Sequence, residues 1–245
     1  MASTSTRTDR LLTAFATTII VLLSACSGED SPPVAVQPPP VGPRFASANA
    51  LLEHYNQIAM REPKADRAGI FALLYAETPI QERLVRVYKN SLPLMELDAI
   101  CWEKYGAGLR ADSKESPFAP ARNSAIMAES GQDRAKARVK QNNGQNMDLY
   151  LVKYNGRWWI SGYTLEYDRE FNRADVDLDQ VERGVRYLSA SAPKVIAEIE
   201  SGTGLDFAAA GEQAPYIVYL RLLAYVFDDF PEAQNMRDFF GIPEN

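Results

Sequence analysis

The sequence predicts an α+β fold, in which N-terminal helices pack on a curved four-strand antiparallel meander and a C-terminal helical extension follows. Three observations predict this fold. Apolar residues recur at helical spacing in the first half of the chain and again in its last quarter. Between these regions the period changes to two, and short turn motifs separate four candidate strands. Hydrophobic residues make up 46% of the 245 residues, which is enough for a globular core.

Charge and composition exclude several classes of protein. The chain carries 26 Lys and Arg against 32 Asp and Glu, and its net charge of -6 gives no electrostatic case for binding nucleic acid. Two cysteines and one histidine are too few for a disulfide scaffold or a multi-histidine metal site. We therefore expect neither a cofactor nor a nucleic-acid partner.

The N-terminus has the organisation of an export signal. Arg7 and Arg10 precede an uncharged run at 11–23, which is too short to span a bilayer. The run ends in Leu23-Ser24-Ala25-Cys26, which resembles the lipobox of bacterial lipoproteins. That resemblance implies removal of a signal peptide at 1–25 and attachment of a diacylglyceryl group and an acyl chain, such as palmitate, to Cys26. More than one lipid chain gives stable membrane anchoring. The alternative is an uncleaved signal anchor.

The residues after the lipobox predict a location and a spacer. The resemblance implies a lipid-anchored protein of the bacterial cell envelope that faces the periplasm or the cell exterior. Ser27 stands where an inner-membrane retention signal would place Asp, which favours the outer membrane. Residues 26–46 are rich in proline, which favours extended polyproline geometry. At ~3.1 Å per residue, the eighteen residues at 27–44 of this tether hold the domain up to about 50 Å from the membrane.

Helices are predicted wherever apolar residues follow the helical period. Ser47 is expected to cap the first helix, Pro79 to occupy a first turn, and Gly106 to end the helix that contains Pro93. Asp177 or Asp179 is expected to cap a helix that a new turn at Pro193 interrupts. The predicted segments are 47–58, 65–76, 79–105 with a break at Pro93, 177–199 in two pieces, and 215–230.

The four candidate strands form an antiparallel meander, because tight turns join them. They lie at 124–130, 134–141, 145–154 and 157–167. A three-residue loop at 142–144 pairs Val139 with Met147, whereas a two-residue loop would mix the apolar and polar faces. The same register pairs Ala137 with Leu149 and Ala135 with Leu151, and sets Arg138 opposite Asp148. A two-residue Asn155-Gly156 turn then joins the last two strands.

Helices followed by a meander that ends in the hairpin at 149–160, with its Asn-Gly-Arg-Trp-Trp-Ile sequence, resemble the nuclear transport factor two-like fold. Ketosteroid isomerases and scytalone dehydratase share this cone-shaped fold. The resemblance covers residues 47–168 and leaves 169–245 as the C-terminal helical extension. Because the fold hosts both enzymes and inert modules, the resemblance implies a shape and no particular activity.

The outer face of the meander supplies the candidate binding residues Tyr150, Trp159 and Tyr163. A large apolar patch in water marks an interaction surface. The helix at 215–230 has enough apolar surface to cover this patch within the same chain. Beside the patch, the basic residues of 134–140 form a stripe. The stripe is explained either as a solvated strand face or as a contact with anionic headgroups or cell-wall polymer.

Three residues are candidates for catalysis in a cone cavity. An isomerase would need a general base, or a buried acid with a tyrosine aimed at one substrate oxygen. His54, Tyr55 and Asp98 suit these roles by residue type, although no spacing selects a pair. His54 is more simply explained as a hydrogen-bonded structural histidine. Cys101 is expected to be buried, because its neighbours are apolar.

A metal site is not expected. Asp175, Asp177 and Asp179 suggest a calcium loop, but Gln180 and Arg186 stand where that loop requires glycine and glutamate. Helix capping explains these acids. The sequence therefore favours a lipid-anchored, non-catalytic binding or scaffold module, with an envelope protein or a small apolar ligand as partner. The alternative is a small-molecule isomerase or dehydratase that uses the cone cavity.

Overall fold

The protein has an α+β fold, as its sequence predicts. The structure, a computed structural model, describes residues 45–109, 115–121, 123–140, 146–166, 177–203, 211 and 213–242. The helices are α1 (Ala48–Ala59), α2 (Arg67–Ala72), α3 (Pro79–Asn90), α4 (Leu92–Tyr105), α5 (Tyr163–Glu166), α6 (Leu178–Ser201) and α7 (Ala214–Asp229), and a 3-10 helix follows at Pro231–Met236. The strands are β1 (Leu74–Tyr75), β2 (Ile126–Ser130), β3 (Arg134–Lys140), β4 (Asn146–Tyr154) and β5 (Arg157–Ser161).

The sheet has five strands in the order β1-β5-β4-β3-β2. The last four form the predicted antiparallel meander, but β1 adds a parallel strand at the edge, so that the sheet is mixed. The prediction of a helix over 65–76 is therefore wrong at its end. The helix stops at Ala72, and the chain then pairs with β5 through Ile160 N to Leu73 O at 2.9 Å and Gly162 N to Tyr75 O at 2.7 Å.

The predicted register of the β3–β4 hairpin is confirmed. Val139 lies opposite Met147, Ala137 opposite Leu149, Ala135 opposite Leu151, and Arg138 opposite Asp148. The apolar members of these pairs fall on one face, which gives the sheet a side to bury. The loop residues 142–144 lie outside the described residues.

The β4–β5 turn is also as predicted. Tyr154 pairs with Arg157, and the two residues between them have φ values of 48° at Asn155 and 73° at Gly156. A two-residue hairpin turn of this kind needs positive φ at both positions, which Asn and Gly adopt at little cost. The turn places Trp158 and Ile160 on the apolar face of the sheet.

The last strand is shorter than predicted. It ends at Ser161, and α5 begins two residues later, so that the expected strand over 157–167 is wrong beyond Ser161 in the part that the structure describes. The Tyr163 backbone N–H donates to Ser161 Oγ at 3.1 Å, and this hydroxyl thus caps the new helical turn.

Helix ends follow the predicted capping residues. Ser47 Oγ accepts from Ala50 N at 3.1 Å, and Asp177 Oδ1 accepts from Asp179 N at 2.9 Å. Gly106 ends α4 with a φ of 71°. The interruption predicted at Pro193 is wrong, because α6 continues through this residue. No helix among the described residues is both long and apolar enough to cross a membrane.

The described residues divide into two compact units that are interleaved along the chain. The sheet unit comprises α1–α3, the five strands and α5, and its core includes Leu51, Leu151 and Ile160. The helical unit comprises α4, α6, α7 and the 3-10 helix, with Val195 and Val218 fully buried. Helix α4, which was predicted to lie in the same domain as the sheet, packs on α6 and α7.

An ion-pair network joins α6 and α7 in the helical unit. Arg221 donates to both carboxylate oxygens of Glu198, from Nε at 2.9 Å and from Nη2 at 2.6 Å. The Tyr225 hydroxyl also donates to Glu198, and the Arg221 guanidinium lies 4.5 Å from the centre of the Tyr225 ring. The hydrogen bonds from Arg221 hold the pKa of Glu198 below its ordinary value of 4.5, although burial opposes this.

The network makes the stability of the helical unit sensitive to acid. Because the pKa of Glu198 is lower in the folded chain, its contribution is present above about pH 4.5 and is lost as the pH falls through the lowered value. We expect Glu198→Gln to lower the free energy of unfolding at neutral pH. Between about pH 5 and pH 3, the free energy of unfolding of this variant should fall less than that of the wild-type protein. Urea unfolding at a series of pH values measures this. Glu200→Gln, on the exposed side of the same helix, is the control, and equal pH dependence in both variants would contradict the prediction.

Candidate functional site

The face of the sheet opposite the apolar one carries most of the candidate binding residues. By register, Arg134 on β3 lies beside Val152 on β4, which lies beside Trp159 on β5. Every second residue along each strand lies on the same face, which adds Tyr75, Tyr150 and Tyr154. Tyr163 of α5 packs against this face through its contact with Tyr150. We call this surface the aromatic face, and its aromatic members are Tyr75, Tyr150, Tyr154, Trp159 and Tyr163.

One half of the aromatic face is buried. The Tyr75 ring stacks on Tyr154 with centroids 4.7 Å apart, and Trp159 lies 6.1 Å from Tyr75. Burial, reinforced by Tyr154, raises the pKa of Tyr75 to about 12. Trp159 is only 1% exposed, and its indole N–H has no hydrogen-bond partner among the described residues. Trp159, which the sequence proposed for binding, is thus a core residue of the sheet unit.

An ion pair spans this buried half. Glu77 follows β1, and its carboxylate accepts a hydrogen bond from Ser161 Oγ and pairs with Arg134 Nη2 at 2.5 Å. Arg134 is on β3, and Glu77 follows β1 at the other edge of the sheet. The pair therefore spans the two positions between them, which are Val152 on β4 and Trp159 on β5. Arg134 is 71% exposed at its side chain, so that the pair contributes about 0–1 kcal/mol.

The other half of the aromatic face is accessible. Tyr163 is 39% exposed, and its ring meets Tyr150 edge-on with centroids 4.9 Å apart. The backbone that carries it is tied to the sheet, because Thr164 Oγ1 accepts from Tyr150 N at 3.0 Å and Ser161 Oγ accepts from Tyr163 N at 3.1 Å. Tyr163 is therefore an exposed ring with a fixed position.

Charged groups border this accessible half. Asp148 pairs with Lys136 Nζ at 2.8 Å and with Arg138 Nε at 3.4 Å, and Lys136 Nζ lies 5.6 Å from the centre of the Tyr150 ring. The hydrogen bond from Lys136, followed by that from Arg138, holds the pKa of Asp148 below its ordinary value. The predicted pair of Arg138 and Asp148 is thus confirmed, with Lys136 as an additional partner.

The catalytic candidates are engaged in other contacts. The His54 ring packs against Phe45 with centroids 5.1 Å apart. Tyr55 is buried in the sheet unit, where burial raises its pKa and the charge of Arg67 opposes the shift. Asp98 is a buried residue of the helical unit, and its carboxylate accepts from the Leu109 backbone N–H. Each candidate therefore has a packing or hydrogen-bonding role in its own unit.

The remaining candidates concern cysteine and metal chemistry. Cys101 is buried as predicted, and burial together with Asp98 raises the pKa of its thiol to about 12, so that it stays protonated and unreactive at neutral pH. Cys26 and Asp175 lie outside the described residues. Within the described ranges, no three His, Cys, Asp or Glu side chains are grouped as a metal ion would require.

Three polar or aromatic residues of the aromatic face were not predicted from the sequence. Ser161 continues the alternation that starts at Trp159, so that the period of two could have identified it. Tyr75 and Glu77 were missed because β1 was not predicted. No protein-family model, curated protein or solved structure matches this chain. Its fold is that of an α+β protein with a mixed five-strand sheet.

Proposed function

We propose that this protein is a lipid-anchored protein of the bacterial envelope that acts as a non-catalytic binding or scaffold module. The observation that carries the binding role is the accessible half of the aromatic face, where Tyr163 presents an exposed ring held by Tyr150 and the neighbouring backbone. Preorganised aromatic side chains with polar neighbours are typical of binding surfaces, because little entropy is lost when they bind.

The lipid anchor is supported by the sequence around Cys26. A short uncharged segment that ends in Leu23-Ser24-Ala25-Cys26 suits export and lipidation. The proline-rich residues 26–46 then act as a spacer, and Ser27 favours the outer membrane. We include in this proposal a nuclear transport factor two-like cone for the sheet unit, with the meander as its wall.

A non-catalytic role agrees with the contacts of the three catalytic candidates. An isomerase or dehydratase would need an acid or base and a tyrosine directed at one substrate oxygen. His54 packs against Phe45, Tyr55 is buried, and Asp98 binds a backbone N–H. These contacts support a module that binds rather than an enzyme.

Replacement of Cys26 tests the anchor. We expect Cys26→Ser to abolish labelling with radioactive palmitate in a bacterial host and to release the protein from membranes or to block its maturation. The control is Cys101→Ala, because this buried cysteine is the other one in the chain and its replacement should leave the label in place. Density-gradient fractionation of the wild-type protein should place it with the outer membrane. Membrane association that persists in Cys26→Ser, without lipid label in the wild-type protein, would refute the proposal.

A further inference from the structure

We propose that the accessible half of the aromatic face binds an uncharged glycan strand. This surface consists of Lys136, Arg138, Asp148, Tyr150 and Tyr163. The inference rests on the binding role proposed above and adds the chemical class of the ligand. Four contacts connect these five side chains into one continuous surface.

The aromatic part of this surface suits a sugar ring. A sugar presents a face of C–H groups, which packs on the flat side of an aromatic ring, whereas its hydroxyls require polar partners at the ring's edge. Tyr163 offers an exposed ring, and its contact with Tyr150 and its backbone hydrogen bond to Ser161 fix its position. An apolar ligand would leave the adjacent charged groups desolvated.

The polar part of the surface suits hydroxyl groups. A hydroxyl both donates and accepts, and can therefore bind a carboxylate and a cation at the same time. Asp148 is an acceptor between two donors, Lys136 at 2.8 Å and Arg138 at 3.4 Å. Arg138 is half exposed at its side chain, and its planar guanidinium has five N–H donors. Both kinds of hydrogen-bonding group are thus present beside the aromatic ring.

The balance of charge favours an uncharged ligand over a polyanion or a membrane. By alternation, the basic residues of β3 on this face are Arg134, Lys136, Arg138 and Lys140. Acids compensate three of these four: Glu77 pairs with Arg134, Asp148 pairs with Lys136 and Arg138, and Glu129 lies opposite Lys136 in the β2–β3 register. Recognition of anionic headgroups typically needs clusters of about 4–8 Lys or Arg without such compensation. The net charge of -6 also opposes an anionic surface.

The dimensions of the surface favour a strand of several sugars. Lys136 and Arg138 are alternate residues of β3 and are therefore about 7 Å apart along the strand. Tyr150 lies opposite Lys136, and Tyr163 packs beyond Tyr150. A ligand that contacts both Arg138 and Tyr163 must therefore extend from Arg138 to the level of Lys136 on β3 and then past the Tyr150 ring. This distance is longer than one sugar unit.

The test uses the full-length protein in detergent, with the tetramer of N-acetylglucosamine as the soluble probe and chitin, the uncharged polymer of the same sugar, as the insoluble probe. We expect the wild-type protein to bind both probes, and its affinity for the tetramer to change less than about twofold between low salt and 0.5 M NaCl, because screening acts on exposed charges rather than on stacking. Tyr163→Ala should weaken binding about tenfold or more, and Arg138→Gln severalfold. The charge-matched control is Arg183→Gln on the exposed side of α6.

Three outcomes would overturn the proposal. They are absence of binding to both probes, equal binding by Tyr163→Ala and the wild-type protein, and salt-sensitive binding to anionic phospholipid vesicles in preference to the glycan. Two variants are used because the loss of Arg138, on the exposed surface, leaves the core intact even if Tyr163→Ala affects folding. Lipid labelling of Cys26 is measured separately. A protein that is labelled but binds neither glycan nor vesicles therefore contradicts the ligand class without contradicting the anchor.

Discussion

Replacement of Gly184 by alanine is expected to destabilise the helical unit by about 1–3 kcal/mol, the usual cost of overpacking a core. Gly184 lies within α6, and a Cβ atom placed there would be 1.9 Å from Cε1 and 2.3 Å from Cζ of Phe239. Non-bonded carbon atoms cannot approach to such distances, and the Phe239 ring must therefore move. In an ordinary helix interior, Gly→Ala is instead stabilising by about 1 kcal/mol. A loss of stability in Gly184→Ala would therefore indicate that Phe239 packs against Gly184, whereas a gain would indicate that it does not.

The matched control removes the ring that causes the clash. In a Phe239→Ala background, Gly184→Ala should be neutral or stabilising, because the helix propensity of alanine then acts alone. Phe239→Ala itself costs stability, since this ring is buried and meets Phe240 edge-on at 5.2 Å. The comparison is therefore between the two effects of Gly184→Ala, measured by urea unfolding in a double-mutant cycle. Equal destabilisation in both backgrounds would show that Phe239 does not pack on Gly184.

Local signals in the sequence predicted the hairpins correctly. A one-residue shift would have exchanged the two faces of β3, and only one register kept Val139, Ala137 and Ala135 opposite apolar residues. The Asn155-Gly156 turn and the cap at Ser47 were likewise predictable, because a few neighbouring residues determine them.

The errors arose where distant parts of the chain decide the structure. Leu74 and Tyr75 become a strand because β5, more than eighty positions later, offers backbone hydrogen bonds. Tyr163 begins a helix because the side chain of Ser161 caps it, which interrupts an alternating pattern that still looks like a strand. Pro193 stays within α6 although an interior proline normally costs about 3 kcal/mol, and packing of this helix against α4 and α7 offsets that cost.

The sequence predicted which residues share the aromatic face, but it did not predict which part of that face is accessible. The period of two places Tyr150 and Trp159 on one side of the sheet, but it does not distinguish a buried ring from an exposed one. Trp159 is covered and Tyr163 is exposed because of what packs around each of them. Glu77, which the sequence did not single out, determines where Arg134 lies across the face.

Replacement of Trp159 tests how far the buried half of the aromatic face supports the sheet unit. We expect Trp159→Ala to lower the free energy of unfolding by about 3–5 kcal/mol, the usual cost of removing a fully buried aromatic side chain. The indole is 1% exposed and packs with Tyr75 and Val152. Loss of this contact also removes the surface over which Arg134 reaches Glu77.

Trp159→Phe separates packing from hydrogen bonding at the same position. A buried N–H group without a partner costs about 1–3 kcal/mol, and the indole N–H of Trp159 has no partner among the described residues. Phenylalanine removes this group and keeps a ring, so that the relief offsets part of the lost packing. We expect the phenylalanine variant to lose less than half of what the alanine variant loses, in urea unfolding followed by circular dichroism. Equal losses of unfolding free energy in the two variants would contradict this expectation. They would mean that the indole N–H is hydrogen-bonded in solution, for example to a water molecule, and that this bond stabilises the sheet unit.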